Sequence, residues 1–188
     1  SPKSLKYNHS LSFTDIFVSR CGVDVLIPLF AQWDLVFQNG EPFKNFPASS
    51  IDLLQKALVL SEEAQLNFSN QSGFSIISHL LLSSNSKHIT YNLYNSYVNL
   101  FGELTCYELR KQLYDDILFN VDLWMLSDAE NHKRILRHWA RVLAPASREI
   151  LVKVRNFEWI ISVLMTYYWY KPKEKAIIFN IDQFNGQE

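Results

Sequence analysis

The sequence predicts an all-α chain made of helical repeats, and three observations lead to that prediction. The stretch from Thr90 to Leu104 has the pattern of a helix that is apolar almost all round, so other elements must cover it on several sides. A shorter apolar segment, Gly73–Leu82, precedes it, and the polar run Ser83–Ser86 between them predicts a helical hairpin. The third observation is an internal repeat of the pattern that leads into this hairpin.

The composition limits the classes of protein to which the chain can belong. Of its 188 residues, 48% are hydrophobic, 14% aromatic and 20% charged, which excludes disorder or a coiled coil as a description of the whole chain. The length suits one domain or several stacked repeats. The 18 basic and 19 acidic side chains give a net charge of -1, so DNA or an anionic membrane would need a local patch.

The cysteines and the apolar runs predict a cytoplasmic protein. Cys21 and Cys106 have no spacing suited to zinc, which predicts free thiols in a reducing cytosol. No apolar run approaches the roughly 18 residues that a membrane span needs. Because the chain begins at Ser1 without methionine, we expect it to be a piece of a larger protein.

The N-terminal part is predicted to contain two helices after an irregular start. Residues 1–12 are polar and aperiodic, which predicts a loose terminus. A short helix is expected to begin at Phe13. The next helix runs from about Val23 to Phe37, with Pro28 in its first turns, where a missing N–H is tolerated.

A loop and a longer helix follow. The segment Gln38–Pro47 contains Gly40 and two prolines and is predicted to be a loop. From Ser49 or Ser50 a helix carries apolar residues at helical spacing as far as Ala64, and the polar run from 67 to 72 ends it.

Two capping-box patterns predict the helix starts in the second half. The pattern Thr105-x-x-Glu108 introduces a helix to Leu118, and Ser127-x-x-Glu130 introduces one that ends at Leu143, before a proline. The segment between them, 120–126, is interpreted as a turn or extended corner that its aromatic residues bury. Further helices are predicted over 147–154 and 157–170.

An internal repeat assigns the architecture. Similar patterns begin at Cys21, Ser72 and Arg155, at spacings of 51 and 83 residues. The second spacing is close to two periods of about 42 residues, the length of an armadillo or HEAT repeat, and the middle copy would begin near Gln112. We therefore predict an armadillo/HEAT-like helical-repeat solenoid, with an irregular helical bundle as the alternative.

The domain organisation follows from these elements. We predict a loose N-terminal segment over residues 1–12, an armadillo-like helical-repeat domain over 13–170, and a linker or the start of a further element over 171–188. The predicted core includes Leu58, Leu80, Leu93, Tyr97, Leu100, Ile117, Trp139 and Ile160.

Three blocks carry a resemblance to a known family. Gly22–Phe30, Leu113–Trp124 and Ile160–Trp169 resemble, in this order, the armadillo-like helical region of BEACH-domain proteins of the neurobeachin-like family. The resemblance implies a non-enzymatic protein-interaction scaffold within a large protein that acts in vesicle trafficking and membrane dynamics. It also implies a cytoplasmic location with peripheral membrane association through other domains of that protein.

Nothing in the sequence predicts catalysis. The five histidines form no HExxH motif and have no carboxylate at metal-ligand spacing, so we expect no metal. Five glycines form no phosphate-binding loop. We therefore predict no catalytic residue and no cofactor.

The candidate partner-binding residues lie on the polar stripes of two helices. They are Asn95, Asn99, Arg134, Arg137, His138 and Arg141. At an offset of 42 residues, Asn95 corresponds to Arg137 and Asn99 to Arg141. The hairpin from Gly73 resembles an armadillo repeat, which implies that Asn99, and more loosely Asn95, holds the backbone of an extended peptide in a groove. The basic members predict a patch for acidic peptides or phosphorylated groups.

The expected partners are proteins, either as a peptide in the groove or as other domains of the same protein. We expect membrane contact only through other domains, and we do not expect nucleic acid. The alternative function is a helical-repeat adaptor that binds acidic or nucleic-acid ligands through the basic face around Arg137, to which Lys133 would contribute. The remaining alternative is that this face is only solvated.

Overall fold

The computed structural model describes residues 22–35, 37–38, 41–42, 46–143 and 157–168. The chain divides into two compact units, Ser1–Val154 and Arg155–Glu188. The predicted N-terminal segment, the helices predicted at Phe13 and over 147–154, and the predicted C-terminal linker lie outside the described residues.

The first described element is shorter than predicted. A 3₁₀ turn over Val23–Leu26 leads into helix α1, Ile27–Ala31, and a second 3₁₀ turn covers Trp33–Leu35. Pro28 occupies the second position of α1, as its missing N–H requires. A continuous helix to Phe37 is wrong, because the chain leaves the helix at Gln32.

A short β-hairpin with two residues in each strand occupies part of the predicted loop. Strands β1, Phe37–Gln38, and β2, Glu41–Pro42, pair antiparallel. Helix α2 then covers Phe46–Val59, with Pro47 in its first turn, where it removes no intrahelical hydrogen bond. Helix α2 begins at Phe46, before the predicted start at Ser49 or Ser50.

The single helix predicted through Ala64 is two helices. Helix α2 ends at Val59 and helix α3 covers Glu62–Asn70, because the side chain of Ser61 accepts a hydrogen bond from the backbone N–H of Ala64 at 3.3 Å. This N-cap satisfies one of the free donors at the start of α3 and gives the chain a new helix direction.

Helix α4, Gly73–Ser83, agrees with the predicted apolar helix. Its glycine has a packing role, because a Cβ atom at Gly73 would overlap the ring of Phe68 in α3. Phe68 in turn packs edge-on against Phe74, with ring centroids 5.3 Å apart. A 3₁₀ turn over Ser86–His88 then leads to the next helix.

Helix α5, Tyr91–Glu103, confirms that a helix occupies the stretch from Thr90 to Leu104. The side chain of Thr90 caps it by accepting from the N–H of Leu93 at 3.3 Å. Its buried residues lie on one side of the helix. They are Leu93, Tyr94, Ser96, Tyr97, Leu100 and Phe101. Asn92, Asn99, Gly102 and Glu103 on the other side are exposed, so the prediction that the helix is covered almost all round is wrong.

Helix α6, Tyr107–Gln112, continues as a π-helical segment, Leu113–Leu118. The capping box predicted at Thr105 is wrong, because Cys106 is the N-cap and its side chain makes no capping hydrogen bond. The amide of Gln65 replaces it, since its Oε1 accepts from the N–H groups of Thr105 and Cys106 at 3.0 and 2.9 Å.

The predicted buried corner is a one-turn helix, α7, Val121–Trp124. Helix α8, Ala129–His138, follows and continues as a π-helical segment, Trp139–Leu143. Its cap is Asp128, whose carboxylate accepts from the N–H of Asn131 at 2.8 Å. The capping box was therefore placed one residue early.

The helices of the first unit lie in rows. In one row, helix α2 packs on α5, and α5 packs on α8. In a second row, α1 packs on α4, and α4 packs on α7 and on the π-helical segment Leu113–Leu118. In a third row, α3 packs on α6. The two helices of the predicted hairpin, α4 and α5, therefore make their main packing contacts with helices of the preceding and following repeats. This is the arrangement of an α-solenoid, in which each unit is covered by its neighbours.

Contacts between successive repeats recur at nearly constant sequence separation. Side-chain hydrogen bonds join Gln65 to Cys106, Ser69 to Gln112 and Ser78 to Asn120, at separations of 41, 43 and 42 residues. The carboxylate of Asp34 accepts from the N–H of Asn85, 51 residues away. These separations match the first spacing of the sequence pattern and the period of about 42 residues.

Six of the eight predicted core residues are buried, and two are not. Leu58, Leu93, Tyr97, Leu100, Ile117 and Trp139 are buried. Leu80 is only half-buried, because Phe74, Ile77 and Leu81 form the inward face of this helix. The helix has few polar residues, so its sequence does not show which apolar face points inward. Ile160 is 46% exposed.

The second unit contains helix α9, Phe157–Val163, which continues as a π-helical segment, Leu164–Tyr168. None of its described side chains is buried, so the prediction that Ile160 belongs to the core is wrong. The end of the predicted helix at Tyr170 lies outside the described residues.

Candidate functional site

The first candidate surface is a groove between α2 and α5. It has a volume of about 640 Å³ and contains the exposed Asn99. Helix α5 turns its apolar residues toward its neighbours, which leaves the polar residues at spacings of three and four on this outer side. The residues that line the groove are Asp52, Gln55, Lys56, Val98, Asn99, Gly102 and Glu103.

The second candidate surface begins at the seam between α5 and α8. The guanidinium carbon of Arg134 lies 4.1 Å from the ring centroid of Tyr91, a cation–π geometry. The side chain of Asn131 accepts from the N–H of Tyr91 at 3.0 Å, which satisfies a free donor in the first turn of α5. Arg134 and Asn131 therefore tie α8 to the N-terminal end of α5.

A second polar contact crosses the same seam. The hydroxyl of Tyr94 lies 2.9 Å from Nδ1 of His138, and their rings meet edge-on. Burial raises the pKa of Tyr94 above its ordinary value, and desolvation lowers the pKa of His138. The hydroxyl therefore stays protonated, and it shares a hydrogen bond with Nδ1 of the His138 ring.

The remaining basic side chains of α8 face outward. Lys133 and Arg137 are exposed, and so is Arg141 in the π-helical segment that extends α8. Together with the guanidinium of Arg134 they form the α8 basic face, defined here as Lys133, Arg134, Arg137 and Arg141. Arginine side chains in this arrangement suit carboxylate and phosphate groups.

The candidate residues thus fall into four structural situations. Asn99 lines the α2–α5 groove, Asn95 is half-buried on α5, and Arg134 and His138 contact α5 side chains. Arg137 and Arg141 are exposed on α8 and its extension. The groove and the α8 basic face therefore lie along adjacent, contacting helices, α5 and α8.

Sequence reasoning missed the groove wall that α2 supplies. The polar residues Asp52 and Lys56 give no sign in the sequence that they line a groove, because the pattern of one helix does not reveal which helix packs beside it. It also missed Gln65, whose side chain is 2% exposed and whose Nε2 donates to the carbonyl of Leu58 at 3.2 Å. A glutamine in an otherwise amphipathic helix gives no signal that distinguishes this role from solvent exposure.

The comparisons with known proteins bear on this arrangement of helices. The family model described as "Neurobeachin/BDCP, DUF4704 alpha solenoid region" matches residues 5–184. The chain belongs to this family. The match agrees with the helical rows, and it assigns the chain to a neurobeachin-type α-solenoid region.

Two relatives agree with this assignment. The chain is 25% identical over 170 residues to a "Putative neurobeachin homolog" of Caenorhabditis elegans and 26% identical over 170 residues to one of Caenorhabditis briggsae. Each alignment covers 86% of this chain and 7% of the relative, so the chain spans only about 7% of the length of these proteins. No solved structure gives a significant match.

The described part of the chain contains neither a candidate membrane span nor a candidate metal site. No helix there is long and apolar enough to cross a membrane. No group of three or more histidine, cysteine, aspartate or glutamate side chains there is placed to hold a metal ion.

Proposed function

We propose that this neurobeachin-type solenoid is a non-enzymatic protein-interaction scaffold. The observation that supports the proposal is the exposure of Asn99, Arg137 and Arg141 on helices whose opposite faces are buried in the stack. Exposed polar stripes on a continuous helical row offer a long surface to a partner, which is the usual function of an α-solenoid.

The wider role of the scaffold is also a proposal. The family membership and the two relatives support a place in a large BEACH-type protein that acts in vesicle trafficking and membrane dynamics. We propose that the solenoid works in the cytoplasm and that other domains of that protein bring it to the membrane. Its partners would be proteins or those other domains.

Partner capture tests the scaffold function. The immobilised chain is incubated with a cytosolic extract, and the proteins retained by the wild type and by Arg137→Glu/Arg141→Glu are compared quantitatively. Because the reversal turns two exposed cations into anions, we expect a defined set of partners to fall at least about fivefold, with an unchanged thermal midpoint.

The matched control is Arg137→Lys/Arg141→Lys, which keeps both charges and should keep most of the captured set. Equal capture by the wild type and the charge-reversed variant would contradict a role for the α8 basic face. Capture no greater than that of the bare resin would contradict the scaffold function itself.

A second candidate function is binding of acidic or nucleic-acid ligands by the α8 basic face. The observation that favours it is that four basic side chains, Lys133, Arg134, Arg137 and Arg141, are exposed along α8 and its extension. Heparin and a nonspecific oligonucleotide are the probes. Affinity that falls steeply with salt and disappears on charge reversal would favour this function, and salt-independent or absent binding would exclude it.

A further inference from the structure

We propose that the groove between α2 and α5 binds an extended segment of a partner that carries a lysine or arginine side chain. The inference rests on the proposed scaffold function and names the partner chemistry of one of its surfaces. The volume of about 640 Å³ lies in the range of ligand-binding clefts, enough for a few residues of an extended chain.

The two walls of the groove each supply an amide. Gln55 on α2 is half-buried and Asn99 on α5 is exposed, and neither makes a side-chain hydrogen bond within the described ranges. An amide presents a donor and an acceptor together, as the peptide main chain does. Amides on opposite walls can therefore pair with the N–H and C=O groups of one extended segment.

The charge of the groove selects the side chains of that segment. Asp52 on α2 and Glu103 on α5 place one carboxylate on each wall, against the single ammonium group of Lys56. Neither carboxylate forms an ion pair with another described residue. A basic side chain that crosses the groove can approach both carboxylates, whereas an acidic one is repelled. The groove is thus opposite in charge to the α8 basic face.

The groove is also open where a partner's backbone would pass. A Cβ atom at Gly102 would meet no other atom within 4 Å, so this glycine leaves the space above α5 free. Because Gly102 lines the groove, a bulky side chain at this position is expected to occupy part of the groove. Replacing a helical glycine is also expected to favour the helix.

The test uses a positional-scanning library of unstructured octapeptides and the full chain. The wild type should enrich peptides with lysine or arginine at one position. The selected peptide should bind Asp52→Asn/Glu103→Gln at least about fivefold more weakly, as expected for the loss of exposed charge pairs of roughly 1 kcal/mol. Lys56→Gln should bind it about twofold to fivefold more tightly.

Substitutions at Gly102 separate blocked binding from lost structure. Gly102→Trp should reduce the affinity for the selected peptide more than about tenfold, while the thermal midpoint stays the same or rises. Gly102→Ala, which adds only a methyl group in open space, should bind as the wild type does.

Three results would overturn the inference. Enrichment of aspartate or glutamate, with affinity lost in Arg137→Glu/Arg141→Glu instead, would place peptide binding on the α8 basic face and leave the scaffold function standing. Lysine or arginine enrichment that Asp52→Asn/Glu103→Gln and Gly102→Trp leave unchanged would place it outside this groove. If the wild type selects no peptide, the groove inference fails, and the capture experiment decides the scaffold function separately.

Discussion

Helices α5 and α8 start alike and differ in how much they bury. Both begin at a side-chain cap, Thr90 for α5 and Asp128 for α8. Helix α5 buries six residues between α2 and α8, whereas α8 buries only Ile135 before its π-helical extension. Within the described residues, α5 has a helix on each side and α8 makes its main helix–helix contacts with α5, which indicates that burial in a repeat stack depends on neighbours as well as on the apolar pattern of the helix.

The largest expected loss of stability comes from creating a cavity in the middle of the stack. Leu100 on α5 is fully buried, so Leu100→Ala should lower the free energy of unfolding by roughly 2 to 5 kcal/mol. Val142, in the extension of α8, is 50% exposed, and Val142→Ala should cost less than about 0.5 kcal/mol. Equal losses in urea titrations would show that the two helices are equally covered.

The next effect concerns the buried amide of Gln65. Gln65→Ala removes the partner of the Leu58 carbonyl and of the N–H groups of Thr105 and Cys106, so we expect a loss of about 1 to 3 kcal/mol. The exposed Gln71 provides the control, since Gln71→Ala should stay within about 0.5 kcal/mol. A loss for Gln65→Ala as small as the control's would mean that water replaces the amide.

The two threonines that precede helices should behave differently. Thr90 caps α5, and Thr90→Ala should cost about 0.5 to 2 kcal/mol. Thr105 is exposed and caps no helix, and its hydroxyl makes only a long hydrogen bond of 3.4 Å to Oε1 of Gln65. Thr105→Ala should therefore cost less than about 0.5 kcal/mol, measured by the same chemical denaturation. The reverse order would restore the capping box that the sequence suggested.

The smallest expected effect is a pH dependence at the seam between α5 and α8. Desolvation lowers the folded-state pKa of His138 below its ordinary value of 6.5, so the unfolded chain binds this proton more readily. The contribution of His138 to stability should therefore fall as the pH drops through 6.5 and level off below the folded-state pKa. Protonation of the ring also changes the group that shares a hydrogen bond with the Tyr94 hydroxyl.

The measurement is the difference in unfolding free energy between the wild type and His138→Gln from pH 8 to pH 5. The wild type should lose stability relative to the variant as the pH falls. Parallel curves, or a relative gain by the wild type, would show that this histidine does not titrate at the seam. Because the other histidines remain in both proteins, their contributions cancel.

Much of the fold could be predicted because helix patterns and their repetition can be read directly from the sequence. The apolar pattern of α5, the glycine that opens α4 and the period of about 42 residues all appear in the sequence before any neighbour is known. Gly73 is the clearest case, since the ring of Phe68 leaves no room for a side chain there. The helix break at Ser61 depends on one side-chain hydrogen bond and the cap by Gln65 on several, and no periodic pattern reports such bonds.

The candidate site was less predictable because it depends on which helices stand together. The stripe of α5 identified Asn99, but Asp52 and Gln55 on the facing wall come from a helix about 45 residues earlier. The α8 stripe identified four basic or imidazole side chains, of which Arg134 and His138 also contact α5. A single helix pattern cannot separate residues that meet the next repeat from residues that remain exposed.

Native-state hydrogen exchange of the whole chain tests the central claim most directly. If α5 is the covered centre of the stack, the amides of Leu93 to Phe101 should exchange only through openings close in free energy to global unfolding. The amides of Arg137 to Arg141 should exchange through openings of clearly lower free energy. Protection of α8 equal to that of α5, or faster exchange in α5, would contradict a stack in which neighbours on both sides set the stability of each helix.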